Sequence, residues 1–417
     1  MPPEPSASEG ARAKPPGWLN RTVVGIGSAS LLSDIGHEMA TTALPALLAS
    51  IGAGAATLGL IEGVADGTSA FAKLSSGVYS DRLKRRKPLA VAGYLATAIG
   101  IASFALATQW WQVLIGRSGA WIGRGARSPV KSVLLTEAST PKSYGRAFGL
   151  ERAMDSAGAV IGPLLTIWLV SAIGLRATFT LTLIPSMLAA LAIVVMVGEC
   201  PHDPKPHARL LYAIGALPET FKRYLVGVGI AGLGDFSNTL LILWATQALT
   251  PGLGGVRAAS LAMLFYVGYN ATYTVSCYLS GGLADRFDRH VVLALGYTLA
   301  AIPAAALLWP VPSLGQFAVV FGVSGLYMGV RETLEGATAA SLLPTASRGT
   351  GFGVLATVGG LGDLISSPLI GYLWVRTRTV AMLFVIATSL IGAAVVGRLG
   401  RFIGPEMLTN GQSVSEA

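Results

Sequence analysis

The sequence predicts an all-α membrane protein, with twelve transmembrane helices arranged as two pseudo-symmetric six-helix bundles. Three observations lead there: few charges, apolar runs of span length, and a repeat across the midpoint. Of 417 residues, 52% are hydrophobic and only 12% charged, against roughly 25% charged in soluble domains. Lipid as solvent removes the need for the missing polar surface. A span takes roughly 20 apolar residues, and such runs lie at 22–49, 57–79, 88–108, 111–137, 146–171, 176–198, 222–248, 257–283, 290–309, 314–341, 350–374 and 379–399. The 52 glycines suit helices whose backbones approach closely in lipid.

Residues 1–21 read as a disordered cytoplasmic tail, because 1–17 hold Pro, Ser and Ala but no apolar run. The first apolar stretch is as long as a full span, so it reads as a retained helix and not as a cleavable signal. Six spans follow over 22–198. The longest polar break, ECPHDPKPHARLLYAIGALPET, falls at the midpoint and makes 199–221 a cytoplasmic linker. Six more spans fill 222–400, and 401–417 form a cytoplasmic C-terminal tail. The linker places His202, Asp203 and His207 beside Cys200, but Pro201, Pro204 and Pro206 favour an irregular connector over a metal site. Cys200 and Cys277 lie far apart and suggest neither a disulfide framework nor zinc.

The net charge of +9 is a matter of placement. Of 30 Lys and Arg, 19 fall in segments assigned to the cytoplasm, 4 at external positions and 7 within spans. This is the positive-inside bias of a membrane protein, and it argues against a nucleic-acid partner. The basic loops are DRLKRRK at 81–87, TPKSYGR at 140–146 and DRFDRH at 285–290. Trp110 and Trp111 open span 4, where an aromatic belt is expected.

The halves repeat one another. LSSGVYSDRLKRRK from Leu74 matches LSGGLADRFDRH from Leu279. Gly93-Tyr94 recurs as Gly296-Tyr297, Phe148-Gly149 as Phe352-Gly353, and Arg127 as Arg331. Asp34 in span 1 answers to Asp235 in span 7. Repeats of this kind are used by secondary transporters, which bind their solute between the halves near the midplane.

The loop Gly77 to Leu89, GVYSDRLKRRKPL, resembles the signature between spans 2 and 3 of the major facilitator superfamily. Gly77, Asp81, Arg82, Arg85 and Arg86 fit that pattern, and Lys84 replaces its second Gly. The second copy keeps Gly281, Asp285, Arg286 and Arg289. Arg117 in LIGRSGAWIGRG matches the intramembrane Arg of span 4, with Ala120-Trp121 replacing Gln-Gly. Gly149, Gly158, Gly162 and Pro163 follow the family's antiporter pattern in span 5, while Thr166-Ile167 replace its closing Gly-Gly. The resemblance covers the whole chain. It implies alternating access, gated by Gly77, Asp81, Arg82, Arg85, Arg86, Asp285 and Arg286. The residues support such a role, since Asp81 can accept backbone N–H bonds at a neighbouring helix end.

Ionisable side chains in the bilayer core cost at least about 2.5–3.5 kcal/mol each, so those within spans are the best pointers to function. Asp34 and Glu38 are four apart and share one helix face, with His37 on its flank. Glu62 and Asp66 repeat that spacing in span 2, and Lys73 follows seven residues on. Carboxylates this close cannot all stay ionised in low dielectric, which is what proton carriage needs. Asp34, Glu38, Asp66 and Asp155 are the candidates for proton coupling. Arg124, Arg127 and Lys131 form one basic stripe on span 4, and span 10 carries Arg331, Glu332 and Glu335 at the matching place. Span 5 adds Glu151 and Arg152, and span 11 adds Asp363. Candidate solute-binding residues are Arg124, Arg127, Lys131, Asp235, Arg331, Glu335 and Asp363. Two roles compete for the arginines: binding an anionic group, or neutralising the acids. Trp121 and Trp244 are read as packing residues that could also line a cavity.

The expectation is a monomeric, proton-coupled carrier of a small solute in the cytoplasmic membrane, working without a cofactor and leaning to efflux of a small organic or anionic compound. One alternative is a divalent-metal transporter using Asp34, His37, Glu38 and Asp235, whose O and N donors suit first-row metals. Another is a sensor or scaffold that has lost transport. No nucleophile elbow, phosphate loop or metalloprotease motif supports an enzyme.

Overall fold

The computed structural model describes residues 17–199, 210–235, 238–309 and 313–402. Most of both predicted tails, Cys200, and the linker residues His202, Asp203 and His207 lie outside the described residues. In the first half, α1 (Arg21–Ser50), α2 (Ala55–Ser80), α3 (Lys87–Ala102), α4 (Trp110–Glu137) and α5 (Tyr144–Ile173) are each one span, and α6 (Leu175–Leu181) with α7 (Leu183–Met196) forms the sixth. The short α8 (Leu210–Gly215) precedes the second half. There α9 (Glu219–Gly232) and α10 (Asn238–Leu253) form one span, α11 (Gly255–Ala284) the next, and α12 (Arg289–Leu299) with α13 (Ala301–Ala306) the third. The last three spans are α14 (Leu314–Leu342), α15 (Arg348–Arg376) and α16 (Arg378–Phe402). Helices satisfy every backbone group within the segment, which a bilayer demands.

The predicted span 222–248 is present and is made of two helices. The chain breaks between α9 and α10, where Gly232 and Gly234 flank Leu233 and Asp235 follows. Glycine weakens a helix by roughly 1 kcal/mol relative to alanine, and Asp235 finds a cation on α14 from this break. Among the described residues, seven helical stretches are both long and apolar enough to cross a membrane on composition. Spans 1, 2, 4, 7 and 8 fall outside that set, and of these 1, 2 and 4 carry several intramembrane charges.

The two halves pack alike. In the first, α1 lies against α5 and α7, and α4 against α2 and α3. In the second, α11 and α12 pack on α14, and α16 on α9 and α12. The halves meet chiefly along two helix pairs, α5 with α11 and α2 with α15, with smaller contacts of α5 with α14 and of α4 with α15. At the end that carries the 81–87 and 285–289 loops, called the basic end below, these pairs touch glycine to glycine. Gly77 meets Gly349 and Gly353, and Gly281 meets Gly145 and Gly149. Only hydrogen at Cα permits backbones to come so near. Further along, a side chain at Gly59, Gly63 or Gly67 of α2, or at Gly359 or Gly360 of α15, would meet no atom within 4 Å. The helices therefore close at the basic end and part away from it.

Two carboxylates fix that closure. Asp81, just past α2, accepts bonds from Gly349 N (2.9 Å), Thr350 N (2.7 Å) and Thr350 Oγ1 (2.7 Å). Asp285, just past α11, accepts from Gly145 N (2.8 Å), Arg146 N (3.0 Å) and Arg146 Nε (2.9 Å). Each thus sits on the opposite half's helix N-terminus, where orphan N–H groups and the helix dipole favour an anion.

Candidate functional site

The basic motif residues do not all join the closure. Arg86 is buried, pairs with Glu137 and lies 3.4 Å from Asp81. In the second copy it is Arg289, at 3.2 Å, that pairs with Asp285, while Arg286 is exposed. Arg85 is exposed as well, while Arg82, also exposed, lines a small groove with Asp81 and Thr350. The spacing from Asp differs by one residue between the copies, five to Arg86 and four to Arg289, so alignment on Asp-Arg hides the equivalence. Glu199, which accepts from the backbone of Arg86 and Lys87, belongs to this cluster through tertiary contact alone.

Above the closure lies a cavity of about 500 Å³ between the halves, lined by α1, α2, α4, α5, α11, α14 and α15. Its first-half wall carries Asp66, Lys73, Trp121, Arg124, Arg127, Lys131, Arg152 and Asp155. Its second-half wall carries Arg331, Glu332, Glu335 and Asp363.

Most of these charges are matched one to one. Arg124 reaches Asp34 at 3.0 Å. Arg117 holds Glu62 at 2.8 Å, and its guanidinium stacks 3.6 Å over the Trp121 ring. Trp121 Nε1 donates to Asp66 at 2.9 Å, so this residue is a hydrogen-bonding wall element as well as packing. Lys131 is held by Glu151 (2.5 Å) and Ser30 (2.9 Å). Arg152 lies 3.5 Å from Glu151, 3.6 Å from Asp155 and 3.5 Å from Glu332, so it bridges the halves. Arg331 is the hub of the second half: it pairs with Asp235, with Glu335 at 3.2 Å, and with Asp363 at 3.9 Å. Tyr297 donates to Glu335 at 2.7 Å. Trp244 stays in the apolar core against Phe317, away from the cavity.

Two cavity cations, Lys73 and Arg127, have no carboxylate within 4 Å among the described residues. Arg127 is 7% exposed and stacks 3.9 Å over Tyr94. Its counterpart Arg331 has three carboxylates in that range. The difference follows from sequence: Asp34 is taken by Arg124 one turn earlier, and the position answering to Glu335 is Lys131. In this stripe Arg124 is paired with an acid and Arg127 is not.

The antiporter-like glycines lie behind this site. Gly158 packs against Leu31 and Asp34, and Gly162 against Ile35, Glu38 and Met39. They set the distance between α5 and the face of α1 that bears both candidate proton carboxylates. Pro163 lies within α5 in the same turn. Glu38 has His37 Nε2 at 3.6 Å. The four side chains weighed for a metal are divided, since Asp34 engages Arg124 and Asp235 engages Arg331.

A family model described as Major Facilitator Superfamily matches residues 26–250. The chain is 28% identical over 359 residues to the uncharacterized MFS-type transporter MJ1317 of Methanocaldococcus jannaschii, covering 85% of this chain and 89% of that one. It is 34% identical over 110 residues to the multidrug resistance protein MdtH of Escherichia coli, a stretch of 26% of this chain and 27% of that one. Among solved structures, the E. coli fucose:proton symporter FucP aligns with a TM-score of 0.72 at 17% identity, over 91% of this chain and 98% of that one. The human organic anion transporter MFSD10 aligns with a TM-score of 0.69 at 15% identity, over 90% and 99%. At such identities the two structures speak for the fold.

Proposed function

The chain belongs to the major facilitator superfamily, and from that premise we propose that it is a proton-coupled secondary transporter that moves a small solute across the cytoplasmic membrane by alternating access. It is a multi-pass membrane carrier, not an enzyme. The observation that carries the reading is the charged cavity between the halves, closed at one end by Asp81 and Asp285 and widening toward the other. On the positive-inside rule the basic end is cytoplasmic, so this is the outward-facing state. The termini are cytoplasmic, and the bundles 22–198 and 222–400 are the bodies that rock about the linker 199–221. A single chain contains the whole site and works as a monomer.

Proton coupling is assigned to Asp34, Glu38, Asp66 and Asp155: Asp66 and Asp155 line the cavity, Asp34 pairs with the cavity residue Arg124, and Glu38 lies one turn from Asp34 on the same face of α1. Protonating Asp34 would release Arg124 and change which facing is stable. Solute contact falls to Arg124, Arg127, Lys131, Asp235, Arg331, Glu335 and Asp363. Lys131 and Asp235 are engaged with internal partners in this state and enter only if those pairs open. The partial antiporter pattern and the similarity to a multidrug resistance protein favour efflux. The test is reconstitution into vesicles with a pH-sensitive dye. Solute gradients should drive proton movement, and solute flux without proton movement would refute the coupling.

The closure itself gives a second expectation. Asp81→Asn keeps the shape, but only its Oδ1 can accept, so at least one of the three hydrogen bonds is lost and the remainder lose their charge. A charged hydrogen bond is worth about 1.5–3 kcal/mol, so at least that much closure is lost, a population shift of at least about tenfold. Labelling of Ser128→Cys, a cavity position, from the basic side should speed up in the Asp81→Asn background. Unchanged labelling would show that Asp81 does not hold the gate.

A further inference from the structure

The two walls of the cavity lean to opposite charge. On the first-half wall, Lys73 and Arg127 have no carboxylate within 4 Å among the described residues, and Arg124 keeps Nη1 buried without a hydrogen-bond partner; against these cations stands Asp66, which takes a hydrogen bond from the neutral Trp121. On the facing wall the surplus is acidic. Arg331 already holds Asp235 and Glu335, so Asp363, 62% exposed, touches it only at 3.9 Å. Glu332, a third exposed, has a single cation at 3.5 Å. The duplication shows where the polarity arises. The positions that answer to Arg124 and Lys131 are Met328 and Glu335, and the one that answers to Lys73 is Cys277. The second copy has lost cations where the first keeps them.

A solute with only an acid group would face Glu332, Glu335 and Asp363; one with only an ammonium group would face Lys73, Arg124 and Arg127. A dipolar solute satisfies both walls at once, and a low-dielectric pocket rewards that match most. We infer that the transported solute is a small zwitterion, its acid group held by Lys73 and Arg127 and its ammonium group by Asp363 and Glu332. The volume of about 500 Å³ is that of an ordinary small-molecule site. Lys73 lies within electrostatic reach of Asp363 and Glu332 but forms no ion pair with either, which leaves the gap that such a solute would span. The inference rests on the transporter reading and adds the chemistry of the cargo to it.

The test uses the full chain in detergent and three mixtures at equal concentration and ionic strength: free α-amino acids, their N-acetyl derivatives, and their amides. The free amino acids should raise the unfolding midpoint, because a ligand that binds the folded state stabilises it. The acetylated and amidated mixtures should need at least about tenfold higher concentration for the same shift. Lys73→Gln and Asp363→Asn should each abolish the gain, and each variant's own midpoint without ligand shows that it is folded. An equal shift with either derivative, no shift with the free mixture, or a shift that survives both substitutions overturns the inference. The vesicle proton assay fails or succeeds independently: solute binding without proton movement removes the coupling and leaves the zwitterion site.

Discussion

Replacing Arg331 by Met should cost the protein about 3–5 kcal/mol of stability, the toll of stripping a buried ion pair of one partner. Arg331 is 4% exposed and serves three acids, Asp235, Glu335 and Asp363. Methionine fills much of its volume, so the loss is electrostatic and not a cavity. Asp235 and Glu335 then have no cation within 4 Å among the described residues, and Tyr297 still donates to Glu335. The unfolding midpoint in detergent should fall sharply, and adding Asp235→Asn should recover part of it by removing one stranded charge. Arg127→Met is the internal contrast. Arg127 has a cation–π contact with Tyr94 and, among the described residues, no acid within 4 Å, so its loss should cost no more than about 2 kcal/mol. Equal costs at the two positions would show that the asymmetry between the halves is not energetic.

Asp34→Asn should abolish solute-driven proton movement while solute exchange persists. The carboxylate is buried, 3.0 Å from Arg124, and Gly158 of α5 packs on the Asp34 Cβ. An amide cannot take or release the proton, and it cannot neutralise Arg124. The carrier should then exchange solute without coupling, with proton movement reduced at least tenfold, equivalent to about 1.4 kcal/mol. Glu38→Gln, on the same face with His37 as its neighbour, should weaken the coupling less. Full coupling in Asp34→Asn would move the proton site to Asp66 or Asp155.

The spans were legible because twelve apolar runs need no partner to be recognised. The break at Asp235 was not, since it depends on Arg331 reaching back from a helix about a hundred residues later. The same limit applied to the closure. DRLKRRK and DRFDRH pointed to Asp81 and Asp285, but Arg289 proved to be the residue beside Asp285, while Arg286 faces solvent. Glu199 and Glu137 gave no sequence signal, because nothing local links them to Arg86. Tyr94 and Tyr297 were visible as a repeat, yet one supports a lone arginine and the other donates to a carboxylate.

By itself the sequence determined a duplicated, membrane-spanning α-helical chain, its basic loops, and which helices carry charge into the bilayer. Those follow from transfer of side chains between water and lipid, a property summed residue by residue. Tertiary structure alone decided which charge answers which: that Asp34 goes to Arg124, that Asp235 goes to Arg331, and that Arg127 and Lys73 are left facing the cavity. Pairing depends on distances of a few ångströms between helices remote in sequence, and the Coulomb energy that chooses among partners changes steeply over that range.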